Sequence, residues 1–142
     1  DVRLAKTLLH VDEKELDLRK TYNVSRVEIP DYGYTLLPGE FYLGVTQEWC
    51  YTAKYVPVLN GRSSAARYNL VIHQTAGFGD VGFAGHWTLE LTVTKPLTVY
   101  PGARVGQLSF EPLIGEHKLY AGGYSVDYSE NPTPQVGRAG NF

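Results

Sequence analysis

The nonapeptide HWTLELTVT, residues 86–94, alternates between polar and apolar side chains at every position. This period of two predicts a β-strand, because successive side chains of a strand point to opposite faces. One face would carry the apolar side chains of Trp87, Leu89, Leu91 and Val93. The other would carry the polar side chains of His86, Thr88, Glu90, Thr92 and Thr94. The apolar face is expected to lie in the core of the domain.

Shorter segments of the same character lie on both sides of this strand. Strands are predicted over residues 41–46, 97–100 and 105–110, with turns over residues 37–40 and at Pro101-Gly102. The 15 glycines and 8 prolines favour short strands joined by frequent turns. We therefore predict one mostly β domain, a sandwich or a distorted barrel.

Helix is expected to be scarce. Residues 63–67 are small enough to form a single helical turn. Residues 10–20 are highly charged and lack the apolar stripe of a packed helix, so they are a weak helix candidate.

The composition excludes several classes of protein. A chain of 142 residues has the length of one domain, and its net charge of -2 argues against a basic nucleic-acid-binding surface. No apolar run approaches the roughly 18 residues of a membrane span. The single cysteine, Cys50, excludes an internal disulfide or a cysteine-rich zinc site. A reducing, cytoplasmic location is the simplest expectation.

The two ends of the chain have distinct characters. The chain contains no methionine and opens on DVRL, which reads as the middle of an element, so we expect N-terminal residues to be missing. Residues 125–142 are polar and contain Pro132 and Pro134, which predicts a flexible C-terminal tail. Such a tail either frays or orders over a ligand, and composition alone favours fraying.

Common catalytic motifs are absent from the sequence. There is no phosphate-binding loop of the form G-x-x-x-x-G-K-[ST] and no G-x-S-x-G nucleophile motif. The H-x-E and P-C-x-x-C ligands of zinc deaminases are also missing. The four histidines are scattered, so each is expected to be structural or solvated rather than a metal ligand.

The segment GRSSAAR, residues 61–67, is the densest group of polar side chains. Its two arginines flank two serines, and guanidinium and hydroxyl groups both bind phosphate oxygens well. The alternative is a polar turn on an exposed edge.

Glu90 interrupts the threonines on the polar face of the 86–94 strand. If that strand is central, a buried carboxylate there requires compensating hydrogen bonds or a cation and could act as a general acid or base. If the sheet is covered on one side only, Glu90 faces solvent, and periodicity alone favours this alternative.

Residues 76–85 contain four glycines, which indicates tight turns or close approach of a ligand to the backbone. Asp80 could accept a hydrogen bond from a sugar hydroxyl, and Phe83 could pack on a flat ring. The alternative is a glycine-rich hairpin in which Asp80 caps its own turn.

Taken together, these segments resemble the dCTP deaminase family of the dUTPase-like superfamily. The similar strings are GRSSAARYNLVIHQTAG (61–77), FGDVGFAGHWTLEL (78–91), YPGARVGQLSFEPL (100–113), LPGEFYLGVTQE (37–48) and PTP (132–134). DVRL resembles the strand that follows the family's N-terminal helix, so that helix is expected to be missing. The resemblance implies a dUTPase-like distorted jelly-roll or β-barrel with little helix.

The resemblance also implies an activity. Family members deaminate dCTP to dUTP and ammonia, and bifunctional members continue to dUMP and pyrophosphate. Ala76-Gly77 resembles the bifunctional members. The resemblance implies a hydrolase of dUTP biosynthesis that needs no zinc and binds its nucleotide as a magnesium complex. It also implies a homotrimer with active sites at the subunit interfaces, and dTTP as an inhibitor. A plain dUTPase and a nucleotide-binding regulator without turnover remain alternatives.

The family's site residues can be carried over to matching positions. The catalytic set implied by the resemblance is Glu90 as general base, Arg67 beside it, Ser63, and Asp80 at the deoxyribose. The implied substrate-binding set is Arg62, Ser63, Ser64, Arg67, Thr75, Ala76, Asp80, Phe83, Thr88, Leu89, Glu90, Gln107, Tyr120 and Tyr128.

The sequence departs from the family pattern at several places. Asn69 stands where glycine is usual, and Gly79 and Val81 replace isoleucine and proline around Asp80. Gln135 stands where the tail usually has serine.

Overall fold

Residues 1–139 are described by a computed structural model, and residues 140–142 of the predicted tail lie outside the described residues. Within the described part, short strands follow one another with a single helical turn among them. The strands are Val2–Arg3 (β1), Thr7–Val11 (β2), Val24–Glu28 (β3), Tyr34–Leu36 (β4), Tyr42–Tyr51 (β5), Tyr55–Gly61 (β6), Ala84–Leu91 (β7), Leu97–Val99 (β8) and Arg104–Pro112 (β9). The helix, α1, is Ser63–Arg67.

The strands form three small antiparallel sheets. A four-stranded sheet has the order β3-β2-β5-β7, a three-stranded sheet has the order β1-β9-β6, and β4 pairs with β8. The prediction of a mostly β domain with little helix is confirmed, as is the helical turn at residues 63–67. The described residues contain no helix with the length and hydrophobicity needed to cross a membrane.

The apolar face of β7 lies in the main core, as its alternation predicts. Leu89 and Leu91 are fully buried there, and Trp87 and Val93 are almost so. Their neighbours from other strands include Leu4, Leu8, Leu36, Leu59 and Val105. Burial of such side chains supplies most of the driving force for folding.

Some predicted boundaries differ from the structure. The strand predicted over residues 86–94 is Ala84–Leu91, because Thr92 makes only an isolated bridge to Val71. The strand predicted over residues 41–46 extends to Tyr51, where it pairs with the start of β7. Residues 12–20 form turns rather than helix, which agrees with their lack of an apolar stripe.

Asn69 stands where glycine is usual in the family, and its backbone conformation shows why asparagine is tolerated there. Its φ is +65°, in the left-handed region that asparagine tolerates better than most side chains. Its side-chain oxygen accepts the N–H groups of Thr94 at 2.6 Å and Lys95 at 3.0 Å. Asn69 therefore fits the turn and also fixes the chain just beyond β7.

The polar face of β7 is covered by the C-terminal segment, residues 126–137. The N–H of Val126 donates to the carbonyl of Ala84 at 2.8 Å, and the indole N–H of Trp49 donates to the carbonyl of Val126 at 2.8 Å. Further along, the N–H of Ser129 donates to Nε2 of His86 at 3.1 Å. The segment predicted to be a flexible tail is docked in the structure, and its mobility in solution stays a prediction.

Candidate functional site

A cavity of about 410 Å³ lies along β7, the edge strand of the four-stranded sheet, and under the segments that pack against it. β7 lines it with His86, Trp87, Thr88 and Glu90. Phe78, Asp80 and Phe83 line it from the glycine-rich hairpin. The remaining side chains that line it come from the segment between β2 and β3, from the start of β5 and the residue before it, and from the chain after β9: Tyr22, Phe41, Leu43, Tyr120, Tyr124, Gln135 and Val136.

Glu90 is half-buried and its carboxylate lines this cavity. Oε2 accepts the backbone N–H of Gln74 at 2.8 Å, and the N–H of Glu90 itself bonds to the carbonyl of Ile72 at 2.9 Å. Leu43 on β5 lies directly opposite it in the antiparallel pair. The preference for a solvent-facing Glu90 fails because this sheet is covered on both faces.

Asp80 lies on a hairpin that is packed on the core. The N–H of Phe83 closes the turn on the carbonyl of Asp80 at 3.1 Å, and the N–H of Gly79 donates to the carbonyl of Pro57 at 2.8 Å. Within residues 1–139 the Asp80 carboxylate accepts no hydrogen bond, so it does not cap its own turn. It is exposed at the cavity and available to a ligand.

Gly79 sits on the ring of Trp87. A Cβ at position 79 would lie 2.7 Å from Cζ2 of Trp87 and 2.9 Å from Cγ of Pro57, closer than real contacts allow. The glycine that replaces the family's isoleucine is therefore matched by the large indole beneath it, and the hairpin is supported by packing.

An aromatic wall closes one side of the cavity. Phe83 packs edge to face on Trp87, with ring centroids 5.9 Å apart, and on Tyr120, with centroids 5.8 Å apart. Such a wall can hold a flat ring or the apolar face of a sugar. Phe83 and Tyr120 are the two aromatic residues of the predicted set that the structure places in the cavity.

A second group of predicted residues lies at the junction of β6, α1 and β9. Nη1 of Arg62 donates to Oγ of Ser64 at 2.6 Å, and Nε of Arg62 lies 3.4 Å from Asp1. Gln107 also reaches Asp1, at 3.2 Å. This group comprises Arg62, Ser63, Ser64, Arg67 and Gln107, and none of its members lines the cavity.

Arg67 does not meet Glu90 within one chain. Arg67 is exposed, and none of the ion pairs among residues 1–139 joins it to that carboxylate. No lysine or arginine among the described residues lines the cavity. The cavity thus offers carboxylates, hydroxyls and aromatic rings, whereas the cations lie elsewhere on the surface.

The other predicted residues lie near the cavity without lining it. Thr75 and Ala76 are exposed in the loop that follows Gln74. Leu89 is fully buried in the core, so only its backbone is available to a ligand. Tyr128 packs on the ring of His86, with centroids 5.8 Å apart.

Several residues that line the cavity were not singled out from the sequence as site residues. Tyr22 lies in the irregular segment between β2 and β3, and its hydroxyl accepts the N–H of Gly137 at 2.9 Å. Phe41 and Leu43 carried a signal, since their alternation placed them on one face of a strand. Tyr22 and Gln135 are brought to the cavity by tertiary packing, which leaves no local pattern.

Among residues 1–139, no three histidine, cysteine, aspartate or glutamate side chains are grouped closely enough to hold a metal ion.

The family model and the curated proteins that match this chain all carry descriptions of dCTP deaminases. Residues 1–113 match the family model described as dCTP deaminase-like. The chain is 43% identical over 123 residues to a protein of Clostridium beijerinckii named "dCTP deaminase, dUMP-forming", covering 87% of this chain and 71% of that one. It is 46% identical over 134 residues to a protein of the same name from Leptospira biflexa serovar Patoc, covering 94% of this chain and 77% of that one.

Among solved structures, the fold is similar to that of 2'-deoxycytidine 5'-triphosphate deaminase from Agrobacterium tumefaciens. The TM-score is 0.63 at 21% sequence identity. The match covers 78% of this chain and 36% of that chain, so this chain spans little more than a third of its length. At this identity the likeness shows the fold.

Proposed function

The chain belongs to the dCTP deaminase-like family, and we propose on this basis that it converts dCTP to dUTP and ammonia, and then to dUMP and pyrophosphate. The observation that carries the proposal is the carboxylate of Glu90, oriented by the N–H of Gln74 and facing a cavity of the size that a small ligand needs. The curated relatives named dUMP-forming support the second step.

In the first step Glu90 acts as a general base. Oε2 accepts the Gln74 N–H, which orients the carboxylate, and Oε1 accepts no hydrogen bond among residues 1–139, so it can take a proton from water. The resulting hydroxide forms a C–O bond at C4 of the cytosine ring as the N3=C4 double bond opens, and Glu90 passes its proton to N3. Glu90 then takes the proton of the new C4 hydroxyl and gives it to the exocyclic nitrogen, the C–N bond breaks, and ammonia leaves a C4 carbonyl on the uracil ring.

In the second step a water breaks the bond between the α- and β-phosphates of dUTP, which gives dUMP and pyrophosphate. Asp80 lies at the same cavity, and its carboxylate has no hydrogen-bond or ion-pair partner among residues 1–139. We assign it to the deoxyribose and to the water of this step. The nucleotide would enter as its magnesium complex, which neutralises part of the triphosphate charge.

The lack of a lysine or arginine among the described residues that line the cavity supports a site shared between chains. A triphosphate requires guanidinium and hydroxyl donors, and these lie on the separate surface formed by Arg62, Ser63, Ser64 and Arg67. In the proposed homotrimer this surface of one chain would cover the cavity of the next, and the Arg67 of a partner would lie beside Glu90. The net charge of -2 is compatible with such a local phosphate site.

Two further parts of the proposal concern an inhibitor and the cellular location. dTTP carries the same sugar and triphosphate as dCTP, so it is the natural candidate for a competing inhibitor. Cys50 is a free thiol, which is compatible with a cytoplasmic enzyme in a reducing setting.

The test is product analysis on the full chain with dCTP and magnesium. Equal amounts of ammonia, dUMP and pyrophosphate are expected. Accumulating dUTP would identify a deaminase alone, hydrolysis of dUTP without ammonia from dCTP would identify a dUTPase, and tight binding without product would identify a regulator.

The carboxylate is tested by Glu90→Gln. This change keeps the shape of the side chain but removes the base, so ammonia release should fall by at least about 100-fold while nucleotide binding is largely retained. Glu116→Gln, at an exposed position away from the cavity, is the matched control. Unchanged ammonia release from Glu90→Gln would remove this residue from the mechanism.

A further inference from the structure

Three hydroxyl groups in the wall of the cavity share one arrangement. Each accepts a hydrogen bond from a backbone N–H of the segment that follows β9. The pairs are Gln135 N–H to Thr88 Oγ1 at 2.9 Å, Gly137 N–H to Tyr22 Oη at 2.9 Å and Tyr124 N–H to Tyr120 Oη at 3.2 Å. A backbone N–H can only donate, so the polarity of these bonds is fixed.

The fixed polarity decides what each hydroxyl can offer to a ligand. A hydroxyl has one proton to donate and two lone pairs to accept with. Because a lone pair of Thr88 Oγ1 is used by Gln135, its proton remains for another acceptor. Among residues 1–139 the Thr88 hydroxyl donates to no other group, and the residue is half-buried at the cavity.

Thr88 is also the hydroxyl residue placed nearest to Glu90 along β7. The two side chains are two residues apart and therefore point to the same face, about 7 Å apart along the strand. The wall thus presents an acceptor, the Glu90 carboxylate, followed by a donor, the Thr88 hydroxyl. A cytosine ring has the complementary order, with an amine on C4 and a carbonyl oxygen on C2.

Building on the proposed function, we propose that Thr88 is a base-binding residue whose hydroxyl donates to the C2 carbonyl oxygen of the pyrimidine. The N–H of Gln135 holds the hydroxyl in the donor role, so docking of the C-terminal segment and recognition of the base are coupled. Hydrogen bonds in such a chain strengthen one another. Since the C2 carbonyl is unchanged by deamination, this contact serves both the cytosine and the uracil nucleotide.

Binding of dCTP, measured by calorimetry, tests the contact. All variants carry Glu90→Gln, so that no turnover occurs. Thr88→Val keeps the shape of the side chain and is expected to weaken binding about fivefold, the effect of one neutral hydrogen bond. Thr88→Ser keeps the hydroxyl and should stay within about twofold of the parent.

A modified base identifies the atom that is recognised. With 2-thio-dCTP, whose sulfur is a weak acceptor, the parent should bind less tightly and Thr88→Val should cause no further loss. If Thr88→Val weakens both nucleotides equally, the C2 carbonyl is not the partner and the proposal is overturned.

The coupling to the C-terminal segment is tested by removing one N–H. Gln135→Pro deletes the donor, whereas Gln135→Ala keeps it and is the matched control. Gln135→Pro should weaken dCTP binding, and the combination with Thr88→Val should bind no more weakly than Thr88→Val alone. If the fold losses of dCTP affinity caused by the two single changes multiply in the double variant, the two effects are independent and the proposed coupling is overturned.

The outcomes separate this inference from the proposed function. If the wild-type chain binds no pyrimidine nucleotide and releases no ammonia, both are wrong. The role of Thr88 alone is wrong if the wild type binds and deaminates dCTP but one of two results is found. Either Thr88→Val binds dCTP as tightly as the parent does, or Thr88→Ser weakens dCTP binding as much as Thr88→Val.

Discussion

At the residue scale, the side chains of the site are oriented mainly by backbone N–H groups. Gln74 orients the carboxylate of Glu90, and Gln135 orients the hydroxyl of Thr88. Gly79 has a comparable role, since the absence of a side chain there allows the Asp80 hairpin to rest on Trp87. Small changes at these positions are therefore expected to move the site without touching a ligand.

Gly79→Ala provides a test of this packing. The added methyl would overlap the indole of Trp87, so the free energy of unfolding is expected to fall by about 1–3 kcal/mol in chemical denaturation. Gly61→Ala is the control for stability, because nothing lies within 4 Å of a Cβ there. Combining Gly79→Ala with Trp87→Leu should recover part of the loss; full additivity would contradict the packing argument.

At the element scale, the turn before β5 is tied to β2 by a histidine held between two carboxylates. Nε2 of His10 lies 2.7 Å from Glu40 Oε2, and Nδ1 lies 2.9 Å from Asp12 Oδ1. The hydrogen bond with Glu40 raises the pKa of His10 above its usual value, against the effect of desolvation, and Asp12 adds to the rise. Both ring nitrogens have an acceptor beside them, which favours the protonated imidazole.

This raised pKa predicts how stability depends on pH. The folded chain binds the proton more tightly than the unfolded chain, so the contribution is complete below pH 6.5 and is lost as pH rises through the folded-state pKa. Because the ring is partly exposed, we expect a loss of under about 1 kcal/mol. Denaturation at pH 6 and pH 8.5 should show this loss, and His10→Gln should abolish it. His117→Gln, an exposed control, should leave it unchanged.

At the scale of the whole molecule, the two groups of predicted site residues lie on different surfaces. Glu90, Asp80 and Thr88 lie at the cavity, whereas Arg67 and its neighbours lie beside β6 and β9. A symmetric assembly can bring such surfaces together, because every chain presents both. The separation therefore supports an active site formed between chains.

Mixing two inactive variants tests this arrangement. Arg67→Ala and Glu90→Gln should each be inactive alone. When the two are unfolded together and refolded at equal amounts, about one quarter of the wild-type activity is expected, since that share of sites combines an intact Arg67 with an intact Glu90 from different chains. Absence of recovery in verified mixed oligomers, or a monomer in sedimentation, would contradict the shared site.

Local sequence determined the β character of the chain and several of its turns. The alternation from Trp87 to Leu91 fixed which side chains enter the core, because one face of a strand must leave water. Gly39 and Gly102 take φ values of +81° and +76° at the predicted turns, which side chains with a Cβ rarely adopt. The quoted strings also sufficed to place the chain in its family.

The tertiary structure determined the surroundings of the polar side chains on those strands. Periodicity alone left Glu90 facing solvent, whereas the packing of the 78–83 hairpin, of Tyr22 and of the covering residues 126–137 around β7 turned its surroundings into a cavity. The covering is made largely by backbone N–H groups, at Ser129, Gln135 and Gly137, which every residue except proline possesses. Such contacts leave no mark in the pattern of side chains, so they could be found only in the folded chain.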